Sequence, residues 1–178
     1  MTSPRHFSLF ITLGLFWGVS PSLYQYWGLL GMPVSPFDAL VQGPGEAWRI
    51  GARSFRAQLE GSPPLRQALS RYAHVRMVQL ARSAGCQRFH EVAPRLARWL
   101  LMSEDRAHGG RFEMTHEFLS RMLGVRRSGV STAAAALQKD GLIRYTRGEL
   151  TVLDRKGMEI VACSCYAADR LTYSEFLP

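Results

Sequence analysis

The side chains of this chain that could do chemistry fall into two groups. The first is basic and hydroxylic: Arg126, Arg127, Ser128, Ser131 and Thr132 in one short run, with Arg144 and Arg147 just beyond. A guanidinium fork matches phosphate oxygens and the edge of guanine, and short hydroxyls approach base edges without crowding them. The second group is Cys86, Cys163 and Cys165. Cys163-Ser164-Cys165 invites a metal reading, yet two thiols fall short of the four donors of a structural zinc, even with His90 added on paper. With apolar neighbours at helical spacing, the cysteines read instead as small buried hydrophobes, so no metal is expected. No Ser/His/Asp or Cys/His spacing suggests a nucleophile, and the acids Glu104, Asp105 and Asp140 fall at helix ends, where solvation explains them. Neither a catalytic residue nor a cofactor is expected, and the chain does not read as an enzyme.

The basic and hydroxylic run needs a scaffold, and the flanking residues supply one. Thr115 is placed to cap a helix through its hydroxyl, and Glu117 in the first turn suits the positive end of the helix dipole. Phe118, Leu119, Met122 and Leu123 form that helix's inner face, and Gly124 stands where a left-handed residue closes a helix. A second helix follows after Gly124-Val125-Arg126. Its apolar positions, Val130, Ala133, Ala134 and Leu137, repeat at i, i+3, i+4 and i+7. Small alanines let it cross the first helix closely, as a helix-turn-helix requires. The opposite face carries Arg127, Ser128, Ser131, Thr132 and Ala135, with no acid, and so suits a major groove. Gly141 ends this helix. Leu142, Ile143 and Tyr145 alternate with Arg144, and Leu150 and Val152 with Thr151, around Thr146-Arg147-Gly148. That pattern is a two-stranded hairpin, or wing, with Arg144 and Arg147 able to reach flanking phosphates. Upstream, Leu96, Leu100 and Leu101 with Trp99 give a helix entered through Pro94, and Phe112 and Met114 a minimal strand. From Arg155 to Leu177, apolar Met158, Val161, Ala162, Cys165 and Ala168 predict one further helix.

The whole chain has 178 residues and a formal charge of +8, from 22 basic and 14 acidic side chains. Such a balance favours a polyanionic partner, nucleic acid or an anionic membrane surface. Too few cysteines are present for a disulfide framework, and their odd count agrees with a reducing compartment, the cytoplasm. Between Phe7 and Phe37 there is no Lys, Arg, Asp or Glu. Residues 7–32 are apolar enough in length for a membrane helix, though Ser20-Pro21-Ser22 interrupts them. Residues 38–62 read as strand and turn, broken by Gly43-Pro44-Gly45 and Gly61-Ser62-Pro63-Pro64. From Leu65 to Ala84 the apolar stripe Leu65, Ala68, Leu69, Tyr72, Ala73, Met77, Leu80 and Ala84 predicts an amphipathic helix. The piece before it looks too small to cover that stripe, so pairing with a second copy is expected, loosely, because Arg76, Gln79 and Ser83 interrupt a strict seam.

Two stretches resemble known families. Arg95-Leu96-Ala97-Arg98-Trp99-Leu100-Leu101, the run from Thr115 to Arg127, and Ala136-Leu137-Gln138-Lys139-Asp140-Gly141-Leu142-Ile143 strongly resemble the DNA-binding domain of Crp/Fnr-type bacterial transcription regulators. The resemblance spans about Leu65 to Leu153. It implies a base-reading role for Arg127, a dimerisation role for the helix Leu65–Ala84, and duplex DNA as partner. Ser128 stands where many members have an acid, and Thr132 where many have a second arginine, which implies a different operator. The family's sensor is represented only by residues 38–62, and its glycine-rich, arginine-bearing phosphate cassette and its oxygen-sensing cysteine cluster have no counterpart, so no small-molecule effector is expected. Separately, Leu13-Gly14-Leu15-Phe16-Trp17-Gly18-Val19-Ser20-Pro21-Ser22 with Gly31-Met32-Pro33-Val34-Ser35 resembles the opening of a drug/metabolite-type permease, with no later span to continue it. That segment reads as a fusion or misjoined start, or else as an inner-membrane anchor.

The expected fold is mainly α with a small β wing: a winged helix-turn-helix preceded by a long dimerisation helix and an apolar N-terminal segment. Four parts are expected, at 1–37, 38–86, 87–156 and 157–178. The expected function is sequence-specific DNA binding in transcription regulation, through Thr115, Arg126, Arg127, Ser128, Ser131, Thr132, Arg144 and Arg147. The alternatives are a membrane-anchored protein, an inactive gene-fusion fragment, or a winged helix that binds protein.

Overall fold

The computed structural model describes residues 8–11, 48–105, 111–146 and 148–177. They fall into two units, divided after Arg76. In the first, strand β1 (Ser8–Ile11) pairs antiparallel with β2 (Trp48–Gly51), Ser8 opposite Gly51 and Ile11 opposite Trp48. Ser8–Ile11 lie inside the stretch expected as a membrane helix and are extended instead; the rest of residues 7–32 is outside the described residues. Among the described residues no helix is long and apolar enough to cross a membrane.

Residues 52–61, expected as part of a strand-and-turn region, form helix α1 (Ala52–Gly61). Phe55 and Leu59 recur four apart and are buried, so one face has a core to join. Helix α2 (Pro63–Phe89) is longer at both ends than the expected Leu65–Ala84. Leu65 and Leu69 at its start pack on Phe55 and Leu59, with Ile50. The start of the apolar stripe is therefore covered from within the chain, against the expectation that nothing nearby could do so. Further along the same stripe Met77 and Leu80 are each 50% exposed.

The second unit is built around α3 (Val92–Glu104), whose Leu96, Ala97, Leu100 and Leu101 are fully buried. Helices α4 (His116–Leu123), α5 (Arg127–Lys139), α6 (Arg155–Val161) and α7 (Cys165–Phe176) all pack on it. The tail expected as one helix is two. Ala162 is extended after α6, so the chain turns before Cys165 starts α7. Asp154 caps α6 by accepting from the Gly157 amide at 3.0 Å. A three-stranded antiparallel sheet completes the unit, with β5 (Glu149–Val152) between β3 (Arg111–Glu113) and β4 (Ile143–Thr146). Leu150 is opposite Tyr145 on one side and Phe112 on the other.

Candidate nucleic-acid interface

Two capped helices set the geometry. Thr115 Oγ1 accepts from the Phe118 amide at 3.1 Å, the N-cap expected from sequence. Gly124 ends α4 at φ 63°, with its amide donating to Arg121 O and the Val125 amide to Ser120 O at 3.0 Å. That paired bonding closes the helix and needs a residue comfortable in the left-handed region, where a side chain is strained. Only Val125 and Arg126 then separate Gly124 from α5, so the two helices must cross closely. Val130, Ala133, Ala134 and Leu137 of α5 are buried, each 5% exposed or less, against this crossing and α3.

The opposite face of α5 points outward. Arg126 at the N-cap, Arg127, Ser128, Thr132 and Ala135 are exposed, and Ser131 is half-buried. Arg144 is exposed on β4, opposite Thr151 of β5. Arg147 lies outside the described residues. Thr132 Oγ1 donates to Ser128 O and Ser131 Oγ to Arg127 O, each at 3.1 Å, so both hydroxyl protons are engaged by the helix's own carbonyls. The Thr132 oxygen remains available as an acceptor. The arginines are the donors of this face.

A residue that sequence reasoning passed over organises the junction of helix and wing. His116 Nδ1 lies 2.9 Å from Ser131 Oγ, and the imidazole stacks on the Tyr145 ring at 4.5 Å and 18°. Since Ser131 donates its proton to Arg127 O, the bond from His116 is satisfied with the proton on Nδ1. His116 Nε2 is then a buried acceptor with no partner among the described residues. Burial, and secondly the Arg127 charge, hold the imidazole's pKa below its ordinary value and keep it neutral near pH 7. Tyr145 anchors the stack: its hydroxyl donates to Met114 O at 2.7 Å and its amide to Gln138 Oε1 at 2.8 Å. The signal in the sequence is slight, a histidine in the first turn of α4 and an aromatic residue in the wing.

Other arginines of this unit are internal. Arg95 donates to Leu123 O, the last carbonyl of α4, where a cation is favoured by the helix dipole. Arg98 donates through Nε and Nη2 to Asp169 Oδ2, at 3.1 and 2.6 Å, and Arg82 donates to Asp169 Oδ1 at 2.5 Å. Burial alone would lower the Arg98 pKa, but the bond to Asp169 and its charge hold it above the ordinary value. Cys86, His90, Cys163 and Cys165 take no part in the outward face. They gather at the end of α2 and the α6–α7 junction.

Two adjoining helices with a short turn, the second presenting a basic face, and a β-hairpin behind it define a winged helix-turn-helix. Residues 94–160 match the family model of the Crp-like helix-turn-helix domain. Solved structures give the same fold. A transcriptional regulator of the CRP/FNR family from Thermus thermophilus is 24% identical, with a TM-score of 0.52, over 58% of this chain and 56% of that one. A second CRP-family regulator from that organism is 21% identical, with a TM-score of 0.53, over 67% and 61%. FixK2 from Bradyrhizobium japonicum is 15% identical, with a TM-score of 0.54, over 66% and 62%. The chain thus spans less than two thirds of the length of each. Comparison with curated proteins finds no match.

Proposed function

We propose that this chain is a DNA-binding transcription regulator of the Crp/Fnr type, reading duplex DNA with the exposed face of α5. The observation that carries this reading is the outward set Arg126, Arg127, Ser128 and Thr132 on the second helix of a Crp-like helix-turn-helix, with Arg144 on the wing behind it. Arg127 begins the helix, where a major-groove reader places its base-contacting side chains. Arg144, and Arg147 on the sequence pattern, position the domain through phosphates. Thr115 adds a phosphate contact beside its capping role. The exposed Met77 and Leu80, one turn apart on α2, favour a homodimer through this helix, which would present two reading helices to a symmetric operator. Binding independent of a cyclic nucleotide, in the cytoplasm, is part of this proposal.

The test is a gel-retardation series with the full chain on random duplex libraries, followed by measurement on the selected sites. Arg127→Ala should weaken selected sites by about 1–3 kcal/mol, roughly five- to 150-fold, and random duplex far less. Failure to retard any duplex at low salt would overturn the proposal. So would an Arg127→Ala chain that keeps full discrimination.

A further inference from the structure

We propose that Cys86, His90, Cys163 and Cys165 form a structural zinc site that clamps the end of α2 to the α6–α7 junction. The four donor atoms lie within 4.8 Å of one another. Cys86 Sγ is 3.5 Å from Cys163 Sγ, and Cys165 Sγ is 3.6 Å from His90 Nδ1. Tetrahedral zinc, with bonds of about 2.3 Å to sulfur and about 2.0–2.1 Å to nitrogen, sets its donors roughly 3.5–3.8 Å apart. The two shortest separations already match that spacing, and the widest need close by only about 1 Å.

The ligand count that argues against a metal in the sequence takes Cys163 and Cys165, with His90 added only on paper, and omits Cys86. Folding supplies the rest. Cys86 and His90 are four apart at the end of α2, with the His90 amide donating to Cys86 O at 3.1 Å, so both side chains leave the same face. Cys163 is fixed by its amide, which donates to Pro94 O at 3.3 Å, and Cys165 begins α7. The three thiols are 3%, 7% and 8% exposed.

A cluster of small hydrophobes would explain the burial of the three thiols but not the imidazole gathered with them. Three thiolates and an imidazole select zinc among common divalent ions, and four protein ligands leave no open position, so the role is structural rather than catalytic. Zinc with three thiolates and a neutral imidazole carries one net negative charge. The Arg98 guanidinium, buried within electrostatic range of Cys86 and Cys163, offsets it.

The full chain, purified under reducing conditions without chelator, should carry about one zinc per chain by plasma emission spectrometry and native mass spectrometry. Cys163→Ser should lose nearly all of it, while His116→Phe, remote from the cluster, keeps it. Chelator should lower the Tm of the parent chain and leave that of Cys163→Ser unmoved. Should Cys163→Ser fail to fold, cobalt(II) titrated into the chelated parent chain replaces it as the test. Tetrahedral d–d bands with thiolate charge transfer are then expected, and His90→Ala should shift the d–d bands while retaining the charge transfer. A zinc-free chain that binds no cobalt would overturn the site. A Cys86–Cys163 disulfide in the reduced preparation, or iron or copper bound in place of zinc, would do so equally.

Discussion

Helices α3 and α5 each bring a pair of arginines to the second unit, and the two pairs have opposite fates. Arg95 and Arg98 on α3 are each 7% exposed, with Leu123 O and Asp169 as their fixed acceptors. Arg126 and Arg127 at the start of α5 are exposed. Both pairs count equally toward the net charge of +8. Only one is placed to meet another molecule. A basic sequence therefore overstates its own nucleic-acid surface wherever guanidiniums close helix ends or neutralise a buried carboxylate. In this protein Asp169, 2% exposed, holds Arg82 and Arg98 at once and so ties α2, α3 and α7 together.

The largest effect should come from breaking the internal pair. Asp169→Ala leaves the Arg98 guanidinium buried without its carboxylate, and removing one partner of such a pair costs about 3–5 kcal/mol. Denaturant unfolding of the full chain should show that loss. The double change Arg98→Met with Asp169→Leu should recover part of it, because the apolar pair carries no desolvation penalty while Arg82 still loses its carboxylate. If Asp169→Ala unfolds at the same denaturant concentration as the parent, the contrast between the two arginine pairs has no energetic content.

The exposed side gives a smaller and different signature. Arg144→Ala should leave unfolding unchanged within about 0.5 kcal/mol, as for a surface site. It should weaken every duplex alike and reduce the slope of log affinity against log salt by about one. Retardation measured over a salt series checks both. A loss confined to one sequence would move Arg144 from positioning to reading.

These contrasts are unevenly legible in the sequence. The face of α5 is plain, because Val130, Ala133, Ala134 and Leu137 fix one side of a helix and so fix the other. The N-cap at Thr115 and the stop at Gly124 are plain for the same local reason. What escapes depends on residues far apart in the chain. Asp169 sits 71 positions from Arg98, and Cys163 77 positions from Cys86, so no periodicity links them. Residues 52–61 read wrongly as strand and turn because their helical face is short, two buried residues, and lies between glycine-rich breaks. The tail reads as one helix because its apolar spacing continues through Ala162 and Cys165, while the bend there follows from packing rather than from a proline or glycine.

The smallest effect concerns the junction of α5 and the wing, where the two kinds of site meet. His116 stacks on Tyr145, bonds to Ser131 and feels the Arg127 charge. Its pKa in the folded chain lies below the value of about 6.5 it takes when unfolded. The unfolded chain therefore binds the proton more tightly, and stability rises with pH through this window. The contribution of neutral His116 is fully present above about pH 6.5 and fades as the pH falls toward the lower folded pKa. His116→Phe keeps a ring against Tyr145 and removes the titration. Thermal unfolding between pH 7.5 and pH 5.5 should thus cost the parent chain more than the variant, the difference isolating His116 from the acids common to both. Equal losses in the two chains would mean that the imidazole titrates as it does in water, and that its place between Ser131 and Tyr145 is not the neutral one the geometry assigns.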